Sequence, residues 1–310
     1  MKKNHKIFAN TIFVTFAALL CCALWGSATP FIKIGYELIL PKKDVASTIL
    51  FAGIRFTLAG ILTILLYSIA RKKVLYPKKD NISKVVIISC FQTVIQYIFF
   101  YIGLANTTGV KGTIASGSNA FFAILIASLV FRQEKLTVKK MFACVIGFAG
   151  VILVNVNGLD FNMNFFGDGF VLLSAVSYAV SSVLMKRYSE YEDPVVLSGY
   201  QFAIGGLFMV IVGAAAGGHI RVMSIEALGV LVYLAFLSAI AYALWGVLLK
   251  YNPVSRVTIF SFMIPVFGVI LSKLMLSEES NVSAGNILIT LVLICIGIII
   301  LNYKKESKPQ

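Results

Sequence analysis

Apolar residues in this sequence gather into blocks of about 20 residues, and these blocks constrain the fold more than any other feature. A helix rises 1.5 Å per residue, so about 20 apolar residues cross the roughly 30 Å hydrocarbon core of a bilayer. Of the 310 residues, 59% are hydrophobic and 13% are charged, and the charged share is about half that of an average soluble domain. The pattern predicts an all-α integral membrane protein surrounded by membrane lipid.

Ten blocks are long enough to be transmembrane helices, and short connections rich in Pro, Lys and Asp separate them. Inside a bilayer every backbone N–H and C=O must be satisfied within the segment, so we expect helices. No connection leaves room for a soluble domain. The predicted spans cover residues 12–34, 47–70, 84–104, 109–131, 138–156, 168–188, 196–216, 227–250, 255–276 and 283–303.

The distribution of Lys and Arg predicts the orientation. With the N-terminus inside, 20 of these residues fall in the inner segments and four in the outer loops. Cytoplasmic loops carry the excess of Lys and Arg in membrane proteins, so we expect a multi-pass protein of the cell (inner) membrane with both termini cytoplasmic. The same distribution accounts for the formal net charge of +14, and it argues against a nucleic-acid partner.

Metal chemistry has little support in the sequence. All five cysteines lie inside apolar blocks, where they are expected to be small buried hydrophobic residues. No paired cysteines have zinc-ligand spacing, and the two histidines, His5 and His219, lie outside the spans. We predict no metal and no other cofactor.

The two halves of the chain resemble each other. Residues 85–134 can be laid on residues 230–279 with a constant shift of 145 and no gap, and a shift of 146 extends the match to the second helix of each half. Each half contains five helices, an odd number, so the second half enters from the opposite side of the bilayer. The sequence predicts two inverted five-helix repeats, residues 1–157 and 158–310. Such repeats recur in secondary transporters, with the solute near the midplane.

Several motifs spread over both halves carry a family resemblance: Trp25-Gly26-Ser27, Arg55-Phe56, the pattern from Gly112 through Glu134-Lys135-Leu136-Thr137 to Gly147 and Gly150, Pro265-Val266-Phe267, and Glu278-Glu279. Through them the chain resembles EamA-like members of the drug/metabolite transporter superfamily over nearly its whole length. The resemblance implies a ten-helix basket with a central cavity. It also implies movement of amino acids, nucleobases, sugars or similar solutes, often outward.

The fourth helix departs from the family pattern. Ala120 stands where the second copy, and often the family, has a proline. The sequence therefore does not predict a proline kink there, although Asn119 beside it can disturb the helix in another way.

Arg55 is the one strongly ionisable residue well inside a predicted span. A charge at that depth needs an anion, a polar partner or water. Arg55 can snorkel to the surface, hold a neighbouring helix or bind an anionic part of the solute, and the sequence leaves these alternatives open. The uncharged Gln201 occupies the matching position of the second half, so we expect an asymmetric centre.

Other polar and aromatic side chains gather at mid-membrane depth. Each one alone is equally well explained by packing or by hydrogen bonds between helices, but together they predict a polar cavity. Trp245, nearer the inner end of its helix, is attributed to the interfacial aromatic belt. The candidate solute-binding residues are Trp25, Arg55, Gln92, Gln96, Asn119, Tyr178 and Tyr242.

These observations favour a secondary transporter of small polar metabolites, such as amino acids or nucleobases, that exports or exchanges its solute by alternating access. All thirteen carboxylates lie in loops, tails or helix ends, which predicts facilitated diffusion or exchange rather than carboxylate-based proton coupling. The partner is a small-molecule solute.

Two other readings of the sequence stay open. One is a channel or a non-transporting scaffold. The other is an intramembrane enzyme, for which no HExxH motif or comparable constellation is present, so we expect no enzyme activity. The small-residue run from Gly213 to Gly217 indicates close helix packing rather than a dimer interface, and a homodimer stays an alternative.

Overall fold

The computed structural model describes residues 6–155, 162, 164–221, 224–276 and 284–302. Over these residues the chain is helical, and ten helices follow one another as the sequence predicts. His5 and the motif Glu278-Glu279 lie outside the described residues. The helices are α1 (Thr11–Ile39), α2 (Val45–Arg71), α3 (Ile82–Ser89, Cys90–Ile95 and Gln96–Ala105), α4 (Gly109–Gly117, Asn119–Leu125 and Ile126–Val130), α5 (Val138–Val154), α6 (Phe165–Gly169 and Phe170–Tyr188), α7 (Pro194–Ala215), α8 (Ile225–Tyr251), α9 (Val254–Thr258, Ile259–Phe262 and Met263–Leu276) and α10 (Ala284–Asn302).

Nine of these helices, within the described residues, are long and apolar enough to cross a membrane. The remaining one, α5, has 17 residues and a length of about 25 Å. Many of the helices begin directly after a side chain that accepts a hydrogen bond from a free N–H of the first turn. These capping residues are Asn10, Asp44, Thr108, Thr137, Asp193 and Ser224.

The packing of the helices repeats between the halves. Helix α1 packs against α8 and α9, and α6 packs against α3 and α4. Helix α2 lies against α7, and α5 lies against α10. Replacing each helix by its counterpart five places away returns the same pairs. This exchange is what two inverted five-helix repeats require, with a pseudo-two-fold axis passing between α2 and α7. The predicted boundary after residue 157 lies outside the described residues and stays a prediction.

Two pairs of glycines allow α2 and α7 to approach closely. A Cβ atom added to Gly53 would lie 2.9 Å from the carbonyl oxygen of Gly206, and one added to Gly60 would lie 2.6 Å from that of Gly199. Both distances are too short for any side chain. The two contacts exchange under the repeat, because Gly53 aligns with Gly199 and Gly60 with Gly206. Small residues are the usual means of bringing membrane helices together.

Helices α4 and α9 are irregular at corresponding positions. Helix α4 is interrupted at Ser118, whose hydroxyl donates to the carbonyl of Ala115 at 2.5 Å, and α9 contains a 3₁₀ turn just before it resumes at Met263. With the shift of 145, Met263 corresponds to Ser118. The first copy therefore has a break without a proline, directly before Asn119. Interrupted helices in matching positions of two halves are typical near transporter binding sites.

The small-residue run at the end of α7 serves a contact within the chain. A Cβ atom on Gly213 would lie 2.6 Å from the backbone nitrogen of Leu50, and one on Gly218 would lie 2.6 Å from the carbonyl oxygen of Ala46. These contacts join α7 to the first turns of α2. A homodimer stays a prediction.

We expect Gly60→Ala to lower the free energy of unfolding by about 1–3 kcal/mol, because the added methyl group forces α2 and α7 apart. The measurement is thermal and denaturant unfolding of the purified protein in detergent, followed by tryptophan fluorescence. The control is Gly229→Ala in α8, where an added Cβ would meet nothing within 4 Å. Equal losses for the two variants would contradict the close-contact interpretation.

Candidate functional site

Four aromatic side chains occupy the centre of the bundle, between the two halves. The hydroxyls of Tyr97 and Tyr242, which align in the two repeats, lie 2.8 Å apart in a hydrogen bond. The ring of Phe56 lies 4.4 Å from that of Tyr97, and the ring of Phe202 lies 4.7 Å from that of Tyr242. The two phenylalanine rings stack on each other with centroids 5.1 Å apart. We call these four residues the aromatic centre. The pseudo-two-fold axis passes through it, because each member contacts its own counterpart.

Two equivalent hydrogen bonds flank the aromatic centre. The Arg55 Nη2 atom donates to the Ser238 hydroxyl at 3.0 Å, which joins α2 to α8. The Thr93 hydroxyl donates to the Gln201 side-chain oxygen at 2.6 Å, which joins α3 to α7. Arg55 aligns with Gln201, and Thr93 aligns with Ser238. The repeat therefore preserves the contact but not the charge, which gives the asymmetric centre that the sequence predicts.

Arg55 is 3% exposed and does not reach the membrane surface. Among the described residues, no carboxylate lies within 4.0 Å of it. Its guanidinium carbon lies 5.0 Å from the centroid of the Phe56 ring. A buried cation with aromatic and phenolic neighbours is suited to an anionic ligand. The phenols that lie near Arg55 belong to Tyr36, Tyr97, Tyr101 and Tyr242.

Six of the seven predicted solute-binding residues carry a buried polar atom that has no hydrogen-bond partner among the described residues. A buried unsatisfied polar group costs about 1–3 kcal/mol, so such a concentration is unusual in a structural core. The neutral counterpart of Arg55, Gln201, also has an unpaired amide nitrogen. The six atoms are Trp25 Nε1, Arg55 Nε, Gln92 Oε1, Gln96 Oε1, Asn119 Oδ1 and the Tyr178 hydroxyl.

The seventh residue, Tyr242, also contacts the tryptophan of α1. The ring of Trp25 lies 5.0 Å from that of Tyr242 and 4.9 Å from that of Trp245. Trp245 is 2% exposed, so its assignment to the lipid-facing aromatic belt is wrong. The position of Trp245 near a helix end indicates its depth in the membrane, but it does not indicate whether the side chain lies on the lipid-facing or the interior side of the helix. The spacing of three residues from Tyr242 places it on the interior face.

The remaining candidates line two irregular helices next to this centre. Gln92 lies inside the π-helical turn Cys90–Ile95 of α3, and Gln96 follows it directly. Single π-helical turns are frequent at functional sites. Asn119 begins the second segment of α4. No hydrogen bond among the described residues joins these three side chains to the aromatic centre. As solute-binding residues, all seven candidates stay predictions.

Several aromatic residues at or near the aromatic centre are not among the candidates predicted from the sequence. Phe56 and Phe202 stand directly after the aligned pair Arg55 and Gln201, so the repeat contains a signal for them. Tyr36 and Tyr101 lie toward the ends of their helices and carry no comparable signal.

A carboxylate links the two halves at one end of the bundle. Glu134, in the loop after α4, accepts hydrogen bonds from the backbone nitrogen of Ser255 at 3.0 Å and from Lys140 Nζ at 2.6 Å, and it also bonds the Ser255 hydroxyl. Ser255 lies in the first turn of α9. Burial favours a raised pKa for Glu134, but the hydrogen bonds from Lys140 and Ser255 outweigh it, and the pKa lies below its ordinary value.

Both described ends of the chain meet beside this link. Arg256 donates to the carbonyl oxygen of Ala9 at 3.1 Å and to the side-chain oxygen of Asn302 at 3.1 Å. We call this end of the bundle the terminal face. The loops after α2, α4, α6 and α8 return to it, as expected for a chain that crosses the membrane with each helix.

Comparison with known proteins gives a consistent result. A family model described as the EamA-like transporter family matches residues 12–156 and 165–303. The chain is 26% identical over 300 residues to the uncharacterized transporter YvbV of Bacillus subtilis (strain 168), covering 92% of this chain and 90% of the relative. It is also 26% identical over 218 residues to a WAT1-related chloroplastic protein of Arabidopsis thaliana, covering 66% of this chain and 51% of that protein. A solved crystal structure with a TM-score of 0.74 and 16% identity covers 93% of this chain and 96% of its own, and it shares the fold.

The hydrogen bond between Tyr97 and Tyr242 is testable by a double-mutant cycle with Tyr97→Phe and Tyr242→Phe. We expect the losses in unfolding free energy to be non-additive, with a coupling of about 0.6 kcal/mol and at most about 1.7 kcal/mol, the range for hydrogen bonds between membrane helices. Denaturant unfolding in mixed micelles measures it. The control cycle pairs Tyr97→Phe with Tyr76→Phe, whose side chain is 73% exposed, and should be additive. Additivity in both cycles would argue against the bond.

Replacing Glu134 by Gln should cost stability in a pH-dependent way. The pKa of Glu134 in the folded protein lies below its ordinary value of 4.5, so the carboxylate contributes stability above pH 4.5. That contribution is lost as the pH falls through the lower folded value. We expect the gap in unfolding temperature between wild type and Glu134→Gln to be constant near neutrality and to shrink below pH 4.5. The control is Glu190→Gln, at an exposed position. A gap that does not change with pH would contradict the role of the charge.

Proposed function

Because the chain belongs to the EamA-like transporter family, we propose that this multi-pass membrane protein carries small polar metabolites across the cell membrane as a secondary transporter. The observation that carries the proposal is the set of buried, unpaired polar atoms inside the bundle, which includes Arg55 Nε and Gln201 Nε2 at the contact between the two repeats. Inverted-repeat transporters bind their solutes near the midplane between the halves. A bound solute would satisfy groups that are otherwise costly to bury.

The chemistry of these groups favours a solute that combines an anionic group with hydrogen-bond donors. Arg55 Nε and Gln201 Nε2 are unpaired donors, and the side-chain oxygens of Gln92, Gln96 and Asn119 are unpaired acceptors. An amino acid supplies a carboxylate for Arg55 and an ammonium group for the amide oxygens. The half-buried ring of Trp25 offers a surface for an apolar or planar part of the solute, so nucleobases, which lack the anionic group, stay as an alternative solute class.

The two-fold arrangement and the link at the terminal face support alternating access. Glu134 of the first half and Ser255 of the second half hold that face together. The excess of Lys and Arg at this face supports a cytoplasmic location for it. We propose that this link breaks when the transporter opens inward, while the contact of α2 with α7 acts as the pivot.

The placement of the carboxylates supports facilitated diffusion or exchange. Glu134 lies at the terminal face, and Asp168 lies at the opposite end of the bundle, where Asn164 and Thr107 donate to it. Proton-coupled transporters commonly hold the proton on a carboxylate or histidine within the membrane. We therefore propose export or exchange down solute gradients, without a carboxylate proton carrier.

Arg55→Gln, which copies the neutral residue of the second half, should abolish recognition of an anionic group. We expect counterflow of carboxylate-bearing solutes to fall by at least about tenfold, since a hydrogen bond to a charged group contributes about 1.5–3 kcal/mol. The assay is uptake of radiolabelled amino acids into proteoliposomes preloaded with the same amino acid, with labelled uracil as the uncharged comparison. Arg187→Gln, at an exposed position, is the control for loss of charge. Amino acid counterflow that is unchanged in Arg55→Gln would reject this role.

The same vesicles separate the carrier from the other functions. Saturable uptake that is stimulated by internal solute marks a carrier, and flux without saturation marks a channel. A metabolite that accumulates in the medium of expressing cells is tested in the same vesicles, and the absence of any flux for it would mark a scaffold. Chemical conversion of the recovered solute would mark an enzyme.

A further inference from the structure

A cavity of about 530 Å³ opens at the terminal face, separate from the central polar atoms. Its volume lies in the range of small-molecule sites, about 300–1,000 Å³. It is bounded by the loop after α4, the end of α6, the connection between α8 and α9, and the end of α10. The residues that matter for its chemistry are Gln133, Glu134, Lys140, Lys186, Lys250 and Arg256.

The cavity has a strong excess of positive charge. Four of these residues are cations and Glu134 is the one carboxylate among its described lining residues. The carboxylate is already committed, because Lys140 and Ser255 bind it. No carboxylate among the described residues lies within 4.0 Å of Lys186, Lys250 or Arg256. These three cations thus form no salt bridge with the described residues, and Glu134 and Glu190 act on Lys186 only from farther away.

The hydrogen bonds of these cations leave their charge available. Lys186 donates to the carbonyl oxygens of Leu249 and Asn252, at 3.2 and 2.6 Å. These neutral acceptors fix the ammonium group at the cavity wall without cancelling its charge. Lys250 is half-buried and makes no hydrogen bond or ion pair with the described residues. Its ammonium group can therefore turn to an incoming anion without breaking an existing contact.

The cavity also contains an unused acceptor. The side-chain oxygen of Gln133 is buried and has no partner among the described residues, while its nitrogen donates to the carbonyl of Val183 at 3.2 Å. Cations together with one free acceptor match an anion that also carries a hydroxyl donor. A phosphate monoester, or a phosphodiester with a neighbouring hydroxyl, has both groups, and phosphate oxygens accept several charge-assisted hydrogen bonds.

Distance separates this cavity from the aromatic centre. Tyr251, at the cavity, and Tyr242 are nine residues apart on α8, which corresponds to about 13 Å along the helix. The paired rings of Trp25 and Trp245 and the buried Leu248 lie between them. A ligand in the cavity does not occupy the proposed solute site.

We propose that the cavity binds a phosphate-bearing anion, supplied either by the headgroup of an anionic phospholipid or by a soluble phosphate ester. Basic pockets between membrane helices at the membrane surface are suited to phosphorylated headgroups. The ligand would lie against Glu134 and Arg256, which join the two halves and the two chain ends. Binding at this place would add contacts between the two halves. The binding itself does not depend on transport.

Lys250→Gln tests the proposal, with Lys73→Gln as the matched control. Both lysines lie at the same end of the bundle, and Lys73 is exposed and outside the cavity. The full-length proteins are purified in an uncharged detergent and checked for monodispersity. One arm titrates inorganic phosphate at constant ionic strength and follows the unfolding temperature. The other counts, by native mass spectrometry, the phosphatidylglycerol retained after extraction from phosphatidylcholine vesicles that contain it.

Wild type and Lys73→Gln should bind the phosphate group equally, and Lys250→Gln should bind it roughly fivefold more weakly, the effect of one basic residue at a membrane surface. Retention of phosphatidylglycerol with no response to phosphate identifies a lipid site. A response to phosphate alone identifies a soluble ester. The proposal is overturned if neither arm gives binding, or if Lys73→Gln loses as much as Lys250→Gln.

Discussion

The close approach of α2 and α7 is the contact on which the rest of the architecture depends. Only glycine at Gly53, Gly60 and their partners leaves room for two backbones at this distance. Because the pseudo-two-fold axis passes through this crossing, the residues beside it meet their own counterparts. The stacking of Phe56 on Phe202 and the hydrogen bond between Tyr97 and Tyr242 are consequences of that geometry. Lipid offers no hydrophobic force to drive helices together, so such packing must come from shape.

The repeat also explains why the centre is unequal. Two copies of one unit bring equivalent residues to equivalent places, and the pairs Arg55–Ser238 and Thr93–Gln201 retain the same hydrogen-bonding geometry. Only one pair carries a charge. A symmetric cationic centre would place two buried charges near each other at high cost. In the function that we propose, the single arginine binds an anionic group and the neutral half supplies hydrogen bonds, so that a solute has one preferred orientation between the halves.

The sequence predicts the helices and their order well, because the length of each apolar block reflects the thickness of the bilayer and charged loops separate the blocks. It also predicts that Arg55 and Gln201 occupy equivalent positions in the two halves, because this prediction needs only the alignment of the repeats. It does not predict the link from Glu134 to Ser255, because no local pattern encodes a contact between two distant loops. The interior face of Trp245 was missed for a related reason: in an apolar helix with hydrophobic residues all round, periodicity does not separate the lipid face from the core. The break in α4 lies at Ser118, whose hydroxyl bonds the carbonyl of Ala115. In a sequence, a serine indicates a helix break less clearly than a proline does.

The unpaired polar atoms at the centre argue for a ligand site more strongly than any single residue does. Polar side chains that serve only as links between helices are expected to be paired, as Ser238 and Thr93 are. The atoms of Gln92, Gln96, Asn119 and Trp25 are buried without such partners, and each carries a desolvation cost that is appreciable beside a net stability of about 5–15 kcal/mol. Replacing them with apolar residues would remove that cost. Their presence in the same bundle as a buried cation without a counter-ion is therefore better explained by a polar ligand than by the demands of folding.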